Sequence, residues 1–166
     1  KEESVLIMPP VYYPFFNSIK ETGRQLVECP LLKEDEHYKM DIELFENKIL
    51  TENVKVFILC SPHNPVGRVW TKKELQAVLD ICKKYGVYVI ADEIHQDIIM
   101  SGYEKVTAAT CGNYDEYLIT LTSASKSFNI AGFQCAYAII PNDKMREDYD
   151  RLAKKLHFTE GNSFSY

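Results

Sequence analysis

Three short apolar runs constrain what this chain can fold into more than any other feature. Val54-Lys55-Val56-Phe57-Ile58-Leu59-Cys60 is almost continuously apolar after Lys55, and Val87-Tyr88-Val89-Ile90-Ala91 and Tyr117-Leu118-Ile119-Thr120-Leu121 follow the same pattern. Strands that alternate apolar and polar residues have one wet face, whereas continuous runs of this length suit a parallel sheet covered on both faces. The first two runs are separated by Leu75, Val78, Leu79 and Cys82 at helical spacing. Thr71 with Glu74 forms a capping box at the start of that helix, and Gly86 ends it.

The remaining elements fit the same alternation. Ser4-Val5-Leu6-Ile7-Met8 reads as a strand stopped by Pro9-Pro10, and Tyr12 to Glu21 as a helix with Pro14 in its first turn. Gln25 to Cys29 is a second strand, Lys33 to Lys39 a polar loop, and Asp41 the cap of a helix bearing Ile42, Leu44, Phe45, Ile49 and Leu50. Phe133 to Ile140 reads as a last strand, and Asn142 caps a charged helix from Asp143 to Leu156. The connection between the Tyr117 strand and the Phe133 strand is short for a helical crossover, so the last strand is expected to run antiparallel. The fold class expected is α/β: three layers, with a mainly parallel sheet and helices on both faces.

Composition narrows the partners. Hydrophobic residues make up 46% and aromatics 12% of the 166 residues, which excludes a disordered chain. Nineteen basic against 24 acidic residues give a net charge of -5 with no basic stripe, so neither nucleic acid nor an anionic membrane is an expected partner. Cys29, Cys60, Cys82, Cys111 and Cys135 show no CxxC pair and no metal-ligand spacing. Small buried thiols in a cytoplasmic protein are the expectation.

In an open α/β sheet, ligands sit at the carboxyl ends of the strands. Three strand ends here carry unusual polar residues: Asn64, then Asp92 with His95, then Ser123 and Ser125 with Lys126. Each has an ordinary reading. Asn64 can be a turn residue before Pro65, Asp92 a helix cap or a partner of a backbone amide, His95 a satisfied core histidine, and Lys126 a solvated surface lysine. Each also has a chemical reading. A carboxylate that follows an apolar strand needs a partner to offset its desolvation, and a cationic ring nitrogen would serve. A lysine among small hydroxyl residues can present its amine to a carbonyl while the hydroxyls bind phosphate.

SPHNPVG, then ADEIH, then SASK, in that order and at these intervals, resembles the class I/II aminotransferase family of pyridoxal-phosphate enzymes, fold type I. The resemblance covers essentially the whole chain. It implies pyridoxal 5'-phosphate as cofactor and a role for each matching position. Lys126 would hold the cofactor covalently and then act as the proton-transfer base. Asp92 would pair with the pyridinium nitrogen and Asn64 with the phenolic oxygen. Tyr12 would stack on the ring, and Ser123 and Ser125 would bind the phosphate.

Two departures are informative. His95 stands where the transaminases usually carry Tyr, and Gln134 where they commonly carry an Arg that clamps the phosphate. Both resemble the cystathionine β-lyase branch of C–S lyases. The expected activity is therefore C–S β-elimination on cystathionine or a cysteine S-conjugate, yielding a thiol, pyruvate and ammonia. An aminotransferase, and a non-catalytic binding protein on the same scaffold, remain as alternatives. Residues 1–166 are expected to be part of the large cofactor-binding domain of a longer, homodimeric protein. The resemblance would put an upstream phosphate loop, a partner-subunit tyrosine and a small-domain arginine outside these residues. The piece alone is expected to bind cofactor weakly if at all and not to turn over substrate.

Overall fold

The computed structural model describes residues 3–158. In chain order these form β1 (Ser4–Ile7), α1 (Pro14–Glu21), β2 (Gln25–Glu28), β3 (Leu32–Glu34), β4 (His37–Lys39), α2 (Ile42–Thr51), β5 (Val54–Cys60), α3 (Lys72–Tyr85), β6 (Tyr88–Asp92), β7 (Leu118–Thr122), β8 (Tyr137–Ile139) and α4 (Asp143–Lys155). Six strands make one sheet in the order β2-β1-β5-β6-β7-β8. Every neighbouring pair is parallel except β7 with β8, which is antiparallel as the short connection predicts.

Both faces of the sheet are covered, and the strand pleat sorts side chains between them. Leu6, Phe57 and Leu59 join the larger core with Phe45 and Ile49 of α2 and Leu75, Val78, Leu79 and Cys82 of α3. Their neighbours Val5, Ile7 and Cys60 point the other way and pack with Ile19, Phe15 and Phe16 of α1. Alternate residues of one strand therefore enter different cores, which is why the sequence runs are apolar without a break. Phe57 is fully buried and meets Phe45 edge-on, with ring centroids 4.9 Å apart.

Helix ends follow the local signals. Asp41 accepts from Leu44 N at 2.9 Å, Asn142 from Met145 N at 2.8 Å, and Thr71 with Glu74 forms the reciprocal capping box. Gly86 ends α3 in the left-handed region, φ 66°. Pro14 opens α1, later than the expected start at Tyr12.

Two expectations need correction. The Lys33–Lys39 stretch is not a loop but the hairpin β3–β4, turning at Asp35, whose φ of 52° suits the short polar side chain of Asp. The last strand does not begin at Phe133. Ala131–Phe133 is a 3-10 turn ended by Gln134 at φ 49°, and the paired strand starts only at Tyr137. The alternation of Phe133, Cys135, Tyr137 and Ile139 carries a strand period, but the left-handed residue inside it breaks the strand.

Candidate cofactor site

The parallel order places the ends of β1, β5, β6 and β7 along one edge, and the functional side chains follow from it. Tyr12 lies just beyond β1, Asn64 beyond β5, Asp92 at the last position of β6, and Lys126 beyond β7. Backbone bonds lock these ends in register: Ser61 N donates to Asp92 O at 3.0 Å and Glu93 N to Leu121 O at 2.8 Å. Gln96 Nε2 adds a 2.8 Å bond to Thr122 Oγ1.

Tyr12, Asn64, Asp92, His95 and Lys126 line one cavity of about 190 Å³, together with Cys60 and Ile94. Five of the seven residues singled out from the sequence thus converge. A larger cleft of about 470 Å³ shares Asn64 and His95 with it and is walled on its other side by Ile98, Met100 and Tyr103.

Ser123 and Ser125 are not among the residues lining that cavity. Ser123 is buried, and its hydroxyl lies 2.6 Å from both the Cys135 carbonyl and Ser125 Oγ. It also accepts from Ser125 N at 3.0 Å. These bonds brace the turn that carries Lys126. Ser127 Oγ, on the other side of the lysine, donates to Asp97 Oδ2 at 3.1 Å, and Asp97 is paired with Lys105 at 2.7 Å.

Asp92 is the carboxyl that lines the cavity. Burial raises its carboxyl above the usual range, against the opposing pull of the Ile94 N–H bond (3.2 Å to Oδ1) and of the nearby His95 and Lys126 side chains. A carboxyl held this way gains most from a cationic hydrogen-bond donor placed in the cavity. The residues present therefore fit a ring with a protonated nitrogen, with an amine at Lys126 to hold it and an aromatic side chain at Tyr12 beside it.

Several contributors were not singled out from the sequence. Cys60 Sγ receives the Asn64 backbone N–H at 3.4 Å, and its thiol is pushed up to about 12 by burial, so it is a neutral wall of the site. Trp70 is buried, and its Nε1 donates to Cys60 O at 3.0 Å, pinning the returning end of the loop after β5. The signal for Trp70 was its position between a Pro/Gly loop and a helix cap. Nothing in the sequence marked Cys60 from the other cysteines. Among the described residues no group of His, Cys, Asp and Glu can hold a metal, no helix is long and apolar enough to cross a membrane, and the five cysteines are unpaired.

Comparison with known proteins places the chain in a family. The sequence matches the family described as aminotransferase class I and II over residues 1–163. The cystathionine beta-lyase PatB of Bacillus subtilis is 37% identical over 164 residues, covering 98% of this chain and 42% of that protein. Among solved structures, cystalysin from Treponema denticola, which contains a pyridoxal 5'-phosphate cofactor, superposes with a TM-score of 0.89 at 42% identity, over 99% of this chain and 41% of that one. The PLP-bound C-S lyase from Staphylococcus hominis gives a TM-score of 0.88 at 36% identity, over 92% and 39%. The chain thus spans about two fifths of the length of the relatives it matches. With the sheet order, the converging strand ends and this match over nearly its whole length, the chain belongs to the class I and II aminotransferase family.

Proposed function

We propose that the full-length protein is a pyridoxal-phosphate-dependent C–S β-lyase that converts cystathionine or a related cysteine S-conjugate into a thiol, pyruvate and ammonia. The observation that carries this reading is the single cavity holding Asn64, Asp92, His95 and Lys126 at adjacent strand ends. The C–S lyases among the relatives, and His95 and Gln134 at positions where transaminases usually differ, favour elimination over amino transfer.

The cofactor, when bound, supplies an electron sink for the pair left when the substrate's α-proton departs. The chain's own residues do the rest. Lys126 Nζ would hold the cofactor and, once free, would accept the substrate's α-proton. Asp92 would keep the ring nitrogen protonated through an ion pair that relieves the cost of its own burial. Asn64 would offer its side-chain amide to the phenolic oxygen and Tyr12 its ring to the cofactor's, while His95 lines the same cavity. Ser123 and Ser125, bonded to one another on the turn that carries Lys126 and outside the cavity lining, would meet the phosphate only by exchanging those bonds for it, and Gln134 would offer no ion pair there.

The same proton transfer at Lys126 also serves transamination, and the family as a whole is named for that reaction. Assaying the purified full-length protein for pyruvate from cystathionine separates the two. Pyruvate formation without a 2-oxo acid is expected; brisk 2-oxo acid-dependent amino transfer without pyruvate would replace the lyase reading by the aminotransferase one.

We further infer that residues 1–166 are part of the large domain of a longer protein, a cytoplasmic homodimer that binds neither nucleic acid nor membrane. The relatives' greater length, the unpaired cysteines and the net charge of -5 support this. Exposed Tyr137, Ile139, Leu152 and Phe158 are apolar surface that further parts of such a protein would cover.

A further inference from the structure

His63 precedes Asn64 but takes no part in the chemistry described so far. It is 2% exposed, although histidine is a polar residue in a surface loop. Its backbone roots the loop that bears Asn64: His63 N donates to Arg68 O and Gly67 N donates to His63 O, both at 2.8 Å. Its side chain crosses to another strand end, where Nε2 lies 3.0 Å from the carbonyl oxygen of Pro10. A carbonyl can only accept, so Nε2 carries the proton and donates. Pro10 is two residues before Tyr12, so one residue is bonded both to the Asn64 loop and to the segment that delivers Tyr12.

The surroundings leave the ring little freedom. It packs edge-on against buried Trp70, with centroids 5.4 Å apart, and the Arg68 guanidinium lies over Trp70 at 4.7 Å while pairing with Glu74 at 2.5 Å. Nδ1 is buried with no hydrogen-bond partner among the described residues. An orphaned buried acceptor is unfavourable by roughly 1–3 kcal/mol, and Leu or Phe would fill the space without it. Burial lowers the imidazole's pKa and the Arg68 charge adds to the fall, with the backbone carbonyls of Pro10, Met8 and Cys60 opposing, so the neutral form is favoured. The donor at Nε2 is what a hydrocarbon could not supply.

We propose that His63 is a positioning residue that sets the separation of Tyr12 and Asn64 across the cofactor cavity, through the Nε2–H bond to the Pro10 carbonyl. This rests on the cofactor reading above. The geometry makes a sharp distinction among variants. The amide nitrogen of Gln reaches the place of Nε2, that of Asn reaches only the place of Nδ1, and Phe keeps the contact with Trp70 but donates nothing.

The test is done on the full-length protein. Pyridoxal 5'-phosphate is titrated into the cofactor-free form of wild type, His63→Phe, His63→Gln and His63→Asn, reading affinity and the visible circular dichroism of the bound cofactor. The thermal midpoint of each cofactor-free protein is recorded alongside. His63→Phe and His63→Asn are expected to bind about tenfold more weakly, the worth of one positioned hydrogen bond, with altered dichroism. His63→Gln is expected to restore both to within about threefold. Wild-type binding with an unaffected His63→Phe would overturn the role of His63 and leave the cofactor reading standing. So would losses in all three variants that simply follow their thermal midpoints. Failure of the wild type itself to bind would overturn both.

Discussion

Glu93 Oε1 accepts a 2.7 Å hydrogen bond from the backbone N–H of Ala108, joining the end of β6 to the far end of the loop that follows it. Both residues are buried, and the second oxygen of Glu93 has no partner among the described residues. Burial pushes the Glu93 carboxyl up to about 7, with the Ala108 N–H and the Lys105 charge opposing and the Asp92 charge reinforcing the rise. Its folded value is above the ordinary 4.5, so the stability linked to the neutral acid is complete below that pH and is lost as pH rises through about 7. The full effect is on the order of 3 kcal/mol. Glu93→Gln is expected to flatten the fall in stability between about pH 5 and pH 8 by roughly one proton's worth, leaving the smaller contribution of Asp92. Urea denaturation at several pH values checks this; an unchanged slope would show that Glu93 is ionised when folded.

Lys126→Ala is expected to remove covalent attachment of the cofactor. Borohydride treatment of the loaded full-length protein followed by peptide mass analysis reads this directly: wild type should carry the reduced adduct on Lys126 and the variant should carry none. Pyruvate formation should drop by about 10³-fold or more, since both the covalent hold and the proton acceptor are lost. An adduct on another lysine would sink the assignment.

Asp92→Asn removes a carboxylate that burial already disfavours, so the cofactor-free fold should be no less stable. Activity is expected to fall by about 10²–10³-fold, because the ring nitrogen loses the charge that keeps it protonated. Cofactor affinity in the wild type should also weaken as pH falls, since a raised Asp92 takes its proton earlier than an ordinary aspartate. Equal activity of Asp92→Asn and wild type would refute the pairing.

Thr71→Ala breaks the capping box at the head of α3, where Thr71 accepts from Glu74 N at 3.3 Å and donates its own N–H to Glu74 Oε2 at 2.8 Å. A loss of about 1 kcal/mol in chemical denaturation is expected, with cofactor affinity unchanged. A larger loss with weakened cofactor binding would mean that the cap also braces the Arg68–Trp70 end of the Asn64 loop.

The hairpin at Leu32–Lys39 and the late start of β8 mark where local pattern and structure part company. The first is a polar pair of short strands outside the main sheet, exposed along most of its length, so no apolar alternation announces it. The second has the alternation but also a turn that only the course of the chain around Ser123 and Cys135 requires.

By itself the sequence determined the α/β class, the parallel strands and their caps, because continuous apolar runs and cap residues are local signals, while Asn64, Asp92 and Lys126 stood out as a set only through the family resemblance of their motif order. Only the tertiary structure decided which of the seven candidate side chains share one cavity. It seats Ser123 and Ser125 behind the lysine turn, supplies the neutral Cys60 wall, and shows that His63 and Glu93 are buried with a polar atom unmatched. Those features depend on which backbone carbonyls and amides from distant strands come within 3 Å, a matter of sheet order and loop path that no spacing along the chain encodes.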